Sequence, residues 1–164
     1  MLRRQMLMGS VASLLAAVFG GRRPALASSG AGQFEVTKTE AEWKAILTKE
    51  QFAILREHDT EKPFTSALNN EKRKGNFHCA GCDLAVYSSE AKYDSGTGWP
   101  SFWQSLPDAI GTQEDNTLFM TRTECHCRRC GGHFGHIFDD GPQPTGKRHC
   151  LNGFALSFKP AEAA

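Results

Sequence analysis

Two Cys-x-x-Cys pairs, Cys79-Ala-Gly-Cys82 and Cys127-Arg-Arg-Cys130, constrain the fold of this 164-residue chain more than any other feature. Each pair can place two thiolates on one tight turn, and two such turns together make a tetrahedral four-thiolate site that suits Zn²⁺. Because four sulfur ligands leave no open position for a substrate, we expect a structural metal. Disulfides are the alternative, but a disulfide within a Cys-x-x-Cys pair is strained and redox-labile, which favours zinc.

The first 27 residues have the features of an export signal. Arg3 and Arg4 precede an apolar run at 6–19, and Ala25-Leu26-Ala27 is the small-x-small pattern of a signal peptidase site. The arginine pair resembles a twin-arginine signal, which carries folded proteins across a bacterial inner membrane. We therefore expect a periplasmic or otherwise exported protein that keeps no stable membrane anchor after cleavage. The alternatives are an organelle-targeting transit peptide and an uncleaved anchor.

The rest of the chain has the composition of one ordinary globular domain. Removing residues 1–27 takes away four arginines and lowers the formal net charge from +1 to −3, which argues against nucleic acid as a partner. The predicted organisation is a signal peptide at 1–27, a linker at 28–38, a domain at 39–160 and a tail at 161–164.

Local patterns predict a mainly β domain with two antiparallel sheets behind short N-terminal helices. Capping boxes at Thr39-x-x-Glu42 and Thr48-x-x-Gln51 each predict the start of a short helix. Beyond Phe77 the chain consists of short apolar runs separated by glycine and proline, which is typical of strands and turns. The predicted strands include residues 85–87, 117–123, 136–138 and 154–158.

Cys150, in the stretch GKRHCLNGF, lies outside both pairs. If this stretch is a strand, its period of two places Arg148, Cys150 and Asn152 on one face. A guanidinium beside a thiol favours the thiolate, so the pattern predicts a lowered pKa and a nucleophilic sulfur. A buried structural cysteine beside ordinary surface cations is the alternative that the local sequence leaves open.

Two nearby motifs carry further candidate residues. His133 and His136 stand three apart in GGHFGHIFDDGP, and Trp99 lies between glycine and proline in SGTGWPSFW. Histidine can transfer protons near neutral pH, and an indole can form one wall of an apolar slot. Taken singly, each histidine could equally be a hydrogen-bonded structural residue, and the tryptophan could equally be a core or turn residue.

Together, the motifs CAGC, KYDSGTGWPSF, CRRCGGHFGHIFDDGPQPTG and RHCLN resemble the B-type methionine sulfoxide reductases. Members of this family reduce the R epimer of methionine sulfoxide, either as the free amino acid or as a residue of an oxidised protein. Reduction of the residue repairs the protein. The resemblance extends from about Trp43 to Phe158. It implies a β-tent of two antiparallel sheets with a four-cysteine zinc site away from the active site, and an external thiol or dithiol reductant of the thioredoxin type.

The resemblance also implies roles for individual residues. Cys150 would attack the sulfoxide sulfur and become a sulfenic acid, which a thiol then reduces. The other implied residues are Trp99 for the ε-methyl group, His133 and His136 for the sulfoxide oxygen, Arg148 and Asn152 for the thiolate, Phe138 and Asp140 near the pocket, and Cys79, Cys82, Cys127 and Cys130 for zinc.

The chain departs from the family pattern at a position where many members carry a recycling cysteine. Thr97 stands there and cannot form a disulfide with Cys150. The remaining thiol, Cys125, is favoured as a buried apolar residue but is also a candidate resolving thiol. Regeneration of Cys150 is therefore expected from an outside dithiol or through Cys125. Gly153 replaces a common serine, and we attach no functional change to it.

Two other functions are compatible with part of the pattern. A zinc-ribbon-like binding module would use the four cysteines as a scaffold, but the charge of −3 gives it no basic face. A general thiol-disulfide oxidoreductase would use one Cys-x-x-Cys pair as its dithiol, but neither pair begins a thioredoxin-like unit.

Exchange of Arg3 and Arg4 for lysine tests the export hypothesis. We expect the double variant to remain in the cytoplasm, because the twin-arginine route requires that pair. Fractionation of a bacterial host into cytoplasm and periplasm measures this, with exchange of Arg22 and Arg23 as the matched control. Unchanged export of the Arg3, Arg4 variant would contradict the hypothesis.

Overall fold

The computed structural model describes residues 34–117 and 120–162, so the export segment predicted at 1–27 lies outside the described residues. Two helices come first, α1 (Glu40–Ile46) and α2 (Lys49–Glu57). Both predicted capping boxes are formed, with the threonine side chain and the N3 side chain each accepting a backbone N–H. Each box satisfies two donors that a helix start leaves unpaired. Within the described ranges, no helix has the length and apolar character needed to cross a membrane.

Helix α2 packs against the turn that holds the second Cys-x-x-Cys pair. Leu55 is almost fully buried and packs directly on Gly132. A Cβ atom added at Gly132 would lie only 2.8 Å from Cδ2 of Leu55. The Arg56 guanidinium donates a hydrogen bond of 3.0 Å to the carbonyl of Cys130. The helices therefore cover the cysteine-bearing end of the domain.

Nine strands form two antiparallel sheets in the described residues. One sheet has three strands in the order β2-β1-β9, and the other has six in the order β3-β4-β8-β7-β6-β5. The predicted fold class is confirmed. The strands are β1 (Gly75–Cys79), β2 (Ala85–Ser88), β3 (Lys92–Tyr93), β4 (Ser101–Phe102), β5 (Ile110–Asp115), β6 (Arg122–Cys127), β7 (His133–Phe138), β8 (Arg148–Leu151) and β9 (Leu156–Pro160).

Aromatic side chains join the two sheets. Phe102 of β4 lies 4.9 Å from Phe77 and 4.6 Å from Tyr87 between ring centroids, and all three side chains are fully buried. The Tyr87 hydroxyl is 3.0 Å from Nδ1 of His149, so its polar end has a partner inside the core. The core therefore reaches the back of β8, the strand that carries Cys150.

Two of the predicted strands begin later in the structure than the sequence indicated. Strand β6 begins at Arg122, whereas a strand was predicted at 117–123; residues 118 and 119 of that stretch lie outside the described residues. The Asp115 carboxylate accepts the N–H and hydroxyl of Thr117, which turns the chain instead of continuing a ladder. Strand β9 begins at Leu156, because the preceding residues form a 3₁₀ turn.

The described end of the predicted linker contacts the domain. The N–H of Val36 donates 3.0 Å to the carbonyl of Arg129, and Glu35 pairs with Arg128 at 2.8 Å. Residues 34–36 therefore lie along the second Cys-x-x-Cys turn. The domain boundaries drawn from the sequence stay predictions.

Candidate active site

Antiparallel pairing of β7 with β8 places His136 directly opposite Cys150. Strand β4 pairs with the other edge of β8, where Ser101 is opposite Cys150. The nucleophile candidate therefore lies on an inner strand with a partner on each side. Directly opposite residues of an antiparallel pair project to the same face, so the register by itself brings the imidazole of His136 beside the thiol.

A β-bulge in β7 explains why both histidines of the HFGH motif reach one region. Regular alternation would send His133 and His136 to opposite faces, because they are three residues apart. The register against β6 shifts instead, with His126 opposite His133 but Cys125 opposite Gly135, which leaves Phe134 as the extra residue. The two imidazole rings then lie 5.5 Å apart between centroids.

Cys150 opens into a cavity of about 160 Å³. Thr60, Arg122 and Gly135 complete its walls. A lining that combines an indole and a phenyl ring with polar groups suits a small ligand with an apolar end and an oxygen. The sequence-predicted site residues that line this cavity are Trp99, His136, Phe138, Cys150 and Asn152.

The remaining predicted site residues surround the cavity without being part of its walls. His133 is almost fully buried behind His136. Arg148 forms a two-bonded ion pair with Asp140, at 2.8 Å for each bond, and its guanidinium lies 4.4 Å from the centroid of Phe138. Asp140 therefore orients the Arg148 guanidinium and partly neutralises its charge.

The environment of Cys150 raises the pKa of its thiol above the ordinary value. Burial is the largest cause, and the nearby hydroxyl of Thr97 and the charge of Arg148 offset only part of it. The prediction of a lowered pKa was therefore wrong. Its reasoning counted the guanidinium but omitted the loss of water around the sulfur and the neutralising carboxylate of Asp140.

Thr97 lies beside Cys150 at the end of a chain of hydroxyl groups. Its Oγ1 is 3.9 Å from Sγ of Cys150 and 2.8 Å from the hydroxyl of Ser95, which is 2.7 Å from that of Ser101. The sequence identified Thr97 only as a missing cysteine. The structure gives it a position from which a hydroxyl can donate to the thiolate.

Each histidine of the motif is held by a carboxylate. His136 Nε2 is 2.7 Å from Oδ2 of Asp115, and His133 Nδ1 is 2.7 Å from Oε1 of Glu124. Burial alone would raise the pKa of Glu124, but hydrogen bonds from His126 and His133 lower it to about 2. Burial lowers the pKa of His136, and the hydrogen bond to Asp115 opposes this.

The segment at Glu61 joins the two sides of the cavity. The Glu61 carbonyl accepts the indole N–H of Trp99 at 3.0 Å, and its N–H donates to Oδ1 of Asn152 at 3.0 Å. Its carboxylate accepts the N–H of Gly153 at 2.5 Å and that of Phe154 at 3.3 Å. Burial raises the pKa of Glu61, although the two backbone donors oppose this. Trp99 and the end of β8 are therefore fixed to one common support.

Asn152 uses both ends of its side-chain amide for this support. Its Nδ2 donates 3.0 Å to the carbonyl of Phe134, and its Oδ1 accepts from Glu61. The residue thus ties β8, the bulge of β7 and the segment before Trp99 together.

Sequence reasoning missed Glu61, Asp115, Arg122 and Glu124. Asp115 lies on β5 and Glu124 on β6. The sequence did not show that these strands belong to the same sheet as the strand of the two histidines. Glu61 precedes Pro63 in a stretch without a recognisable motif. One signal in the sequence could have found two of these residues. Arg122 and Glu124 are two residues apart, so in a strand their side chains project to the same face.

The four paired cysteines meet at the end of the domain covered by α2. Sγ of Cys79 is 3.7 Å from that of Cys130, Sγ of Cys82 is 3.5 Å from that of Cys127, and all four lie within 4.8 Å of one another. Tetrahedral zinc with bonds of 2.3 Å requires sulfur atoms about 3.8 Å apart. The donor set and spacing therefore fit Zn²⁺, and the predicted cluster is confirmed as an arrangement of side chains.

No cysteine forms a disulfide, and all six lie in the described residues. Cys125 is fully buried on β6, and burial strongly raises its pKa. A sulfur in that state is a weak nucleophile, which disfavours it as a resolving thiol.

Comparison with known proteins agrees with this arrangement. A profile of the SelR domain matches residues 47–160. The peptide methionine sulfoxide reductase MsrB of Methanosarcina barkeri is 49% identical over 131 residues, which are 79% of this chain and 92% of that protein. The MsrB of Agrobacterium fabrum is 48% identical over 127 residues, 77% of this chain and 94% of that protein. The chain belongs to the SelR family.

The SelR match contains every residue of the candidate site. It begins at Leu47, directly after α1, and ends with β9, so α1 precedes it. The peptide methionine sulfoxide reductase B1 of rice chloroplasts is 44% identical over 131 residues, 79% of this chain and 61% of that longer protein. The similarity to several MsrB proteins favours a reductase over a zinc-ribbon module or a general disulfide oxidoreductase.

The raised pKa of Cys150 predicts how its alkylation depends on pH. In the ligand-free protein, the rate of iodoacetamide modification at Cys150 should still be rising above pH 9, since only the thiolate reacts. Thr97→Val should shift the midpoint further upward, because it removes a donor to the thiolate. Mass spectrometry of the Cys150 peptide measures both rates, and Thr112→Val on exposed β5 is the control. A midpoint near neutral pH would contradict this account.

Proposed function

We propose that this protein reduces methionine-R-sulfoxide, in oxidised proteins or free, to methionine, with Cys150 as the nucleophile. The observation that carries the proposal is that the Cys150 thiol shares one small cavity with the rings of Trp99 and Phe138 and lies on the strand position opposite His136. A sulfoxide needs these three elements: a thiol for its sulfur, an apolar wall for its methyl group and an acid for its oxygen.

In the proposed first step, the sulfoxide oxygen takes a proton from His136 and its sulfur becomes electrophilic. The Cys150 sulfur attacks the substrate sulfur and forms an S–S bond. The hydroxyl then passes from the substrate sulfur to the Cys150 sulfur, the S–S bond and the substrate S–O bond break, and methionine leaves with its sulfur reduced. The oxygen ends as the hydroxyl of a sulfenic acid on Cys150, so the thiol has lost two electrons and the substrate has gained them. The proton of the neutral thiol returns to the imidazole, which closes the proton balance.

We propose different roles for the two histidines. His136 lines the cavity and is the closer candidate for the acid, whereas His133 stands behind it against Glu124. An ionised carboxylate stabilises a protonated imidazole, as the Asp of a catalytic triad does for its histidine. Asp115 acts in this way on His136, and Arg122 pairs with the same carboxylate. Arg148 and Thr97 would stabilise the thiolate as it forms.

Regeneration is proposed to use an external thiol or dithiol of the thioredoxin type. Two reducing thiols supply two electrons, release water from the sulfenic acid and leave as a disulfide. Thr97 cannot serve as a resolving residue, and Cys125 is fully buried and is not part of the cavity that contains Cys150. Direct reduction by the external partner therefore needs fewer movements than relay through Cys125.

The four clustered cysteines are proposed to bind one structural Zn²⁺. When bound, zinc would supply a covalent cross-link between β1 and β6, which belong to different sheets.

For location, we propose export to the periplasm, based on the features of residues 1–27, with repair of envelope proteins as the function there.

Cys150→Ser tests the reductase function. With separated R and S epimers of a methionine sulfoxide peptide and dithiothreitol, the R-epimer turnover should fall by ~10³-fold or more, because binding and polarisation alone remain. Cys125→Ala is the matched control and should keep R-epimer turnover if Cys125 is not the resolving thiol. Reduction of the R epimer by Cys150→Ser at the wild-type rate would refute the assignment.

Cys82→Ser tests the zinc proposal. We expect loss of bound zinc and destabilisation by several kcal/mol, because structural zinc binding contributes about 10–16 kcal/mol in small zinc domains. Metal analysis of the purified protein and urea unfolding measure the two effects. Cys150→Ser should retain the zinc, and equal zinc content in both variants would contradict the four-cysteine site.

A further inference from the structure

A second group of metal-ligand side chains lies outside the four-cysteine cluster. His58, Glu124 and His133 each offer one ligand atom, and these atoms lie within 4.8 Å of one another. We propose that these three residues bind one divalent transition-metal ion, and that its binding slows the reductase. The binding site is independent of the proposed function, whereas the effect on turnover rests on it.

The three side chains come from three separate elements that the fold brings together. His58 is the C-cap of α2, and its left-handed backbone, with a φ of 60°, turns its ring toward β7. Its ring centroid is 4.8 Å from that of His133. Glu124 reaches the same place from β6, with Oε1 2.7 Å from Nδ1 of His133.

The donor set suits zinc and its neighbours in the first transition row. Two imidazoles and one carboxylate form the protein ligands of several zinc sites that keep a fourth position for water. The second oxygen of Glu124 is held at 2.8 Å by His126 Nδ1, which orients the carboxylate as an outer-sphere partner does in such sites. A bound ion would replace the direct contact between Glu124 and His133 by two metal bonds.

An open route leads to this group. A cavity of about 670 Å³ is lined by His58, Glu124 and His133, and His58 itself is exposed. Among the lining residues that the structure describes, Glu114 and Asp115 add two further carboxylates, against the single guanidinium of Arg122. The cavity therefore favours entry of a small cation.

Metal binding would act on the reaction through His133. The rings of His133 and His136 are 5.5 Å apart, and His136 lines the Cys150 cavity. A bound ion would pull His133 and Glu124 out of their direct hydrogen bond. The ring of His136 packs edge-on against that of His133, so a shift of His133 would move the imidazole that lines the Cys150 cavity. The proposed reaction needs that imidazole in one geometry beside the thiol, so turnover of methionine-R-sulfoxide should fall.

The binding test uses Co²⁺ as the probe, on full-length Cys150→Ser protein with its four-cysteine site loaded with zinc. We expect one further equivalent of Co²⁺ per chain by calorimetry. Its visible bands should lack the intense thiolate-to-cobalt charge transfer that exchange into the four-cysteine site would give. Metal analysis of the titrated protein verifies that the zinc is retained.

His58→Asn in the same background identifies the site. Asparagine tolerates the left-handed backbone at this position, so the α2 cap is kept while the imidazole is lost. Co²⁺ affinity should fall by ~10-fold or more, since even outer-sphere changes at metal sites cost 10–100-fold. Glu57→Gln, at the preceding exposed residue, should bind as the parent does. Absence of a further equivalent, or equal affinity in both variants, would overturn the proposed site.

The turnover test restores Cys150 and measures reduction of the R epimer against added Zn²⁺, each variant relative to its own metal-free rate. The His58→Asn protein should need ~10-fold more Zn²⁺ for half-inhibition than the Glu57→Gln protein. Equal sensitivity would place the inhibiting ion elsewhere, such as on Cys150, and would overturn the regulatory effect. Absence of turnover before any metal is added would instead refute the proposed function and leave the binding result intact.

Discussion

The meeting of the two Cys-x-x-Cys turns is the constraint on which the rest of the fold depends. Cys79 ends β1 of the three-stranded sheet, and Cys127 ends β6 of the six-stranded sheet, so the sulfur cluster joins the two sheets at one end. Helix α2 packs over the second turn through Leu55. The sheets are also joined by aromatic packing around Phe102. The two sheets therefore meet both at the sulfur cluster and in the aromatic core.

Loss of water around the sulfur decides the pKa of the Cys150 thiol. A neighbouring guanidinium lowers a thiol pKa, and burial raises it; at Cys150 burial has the larger effect. Arg148 is less effective than its charge suggests because Asp140 binds it at both nitrogens. The resting sulfur is therefore mainly a neutral thiol. A neutral thiol reacts more slowly with oxidants than a thiolate does.

Carboxylates outside the recognised motifs organise the polar half of the site. Asp115 and Glu124 fix the imidazoles of His136 and His133, and Glu61 fixes the chain after Cys150 together with the indole of Trp99. None of the three has to touch a substrate to act. Each carboxylate holds its partner side chain or backbone in one position by hydrogen bonds. A reaction that needs a thiol, a proton donor and a methyl pocket in one geometry depends on such fixed positions.

The sequence by itself determined the local and composition-dependent features. It predicted both helix starts from their capping boxes, the mainly β architecture, the cluster of four cysteines and the separate status of Cys150. These features depend on neighbours three or four residues away, or on residue types with few alternative uses. Only the tertiary structure decided the rest: the bulge at Phe134 that brings His133 beside His136, the raised pKa of Cys150, and the supporting carboxylates. Register, burial and contacts between distant strands are properties of the whole packed chain, and no local pattern encodes them.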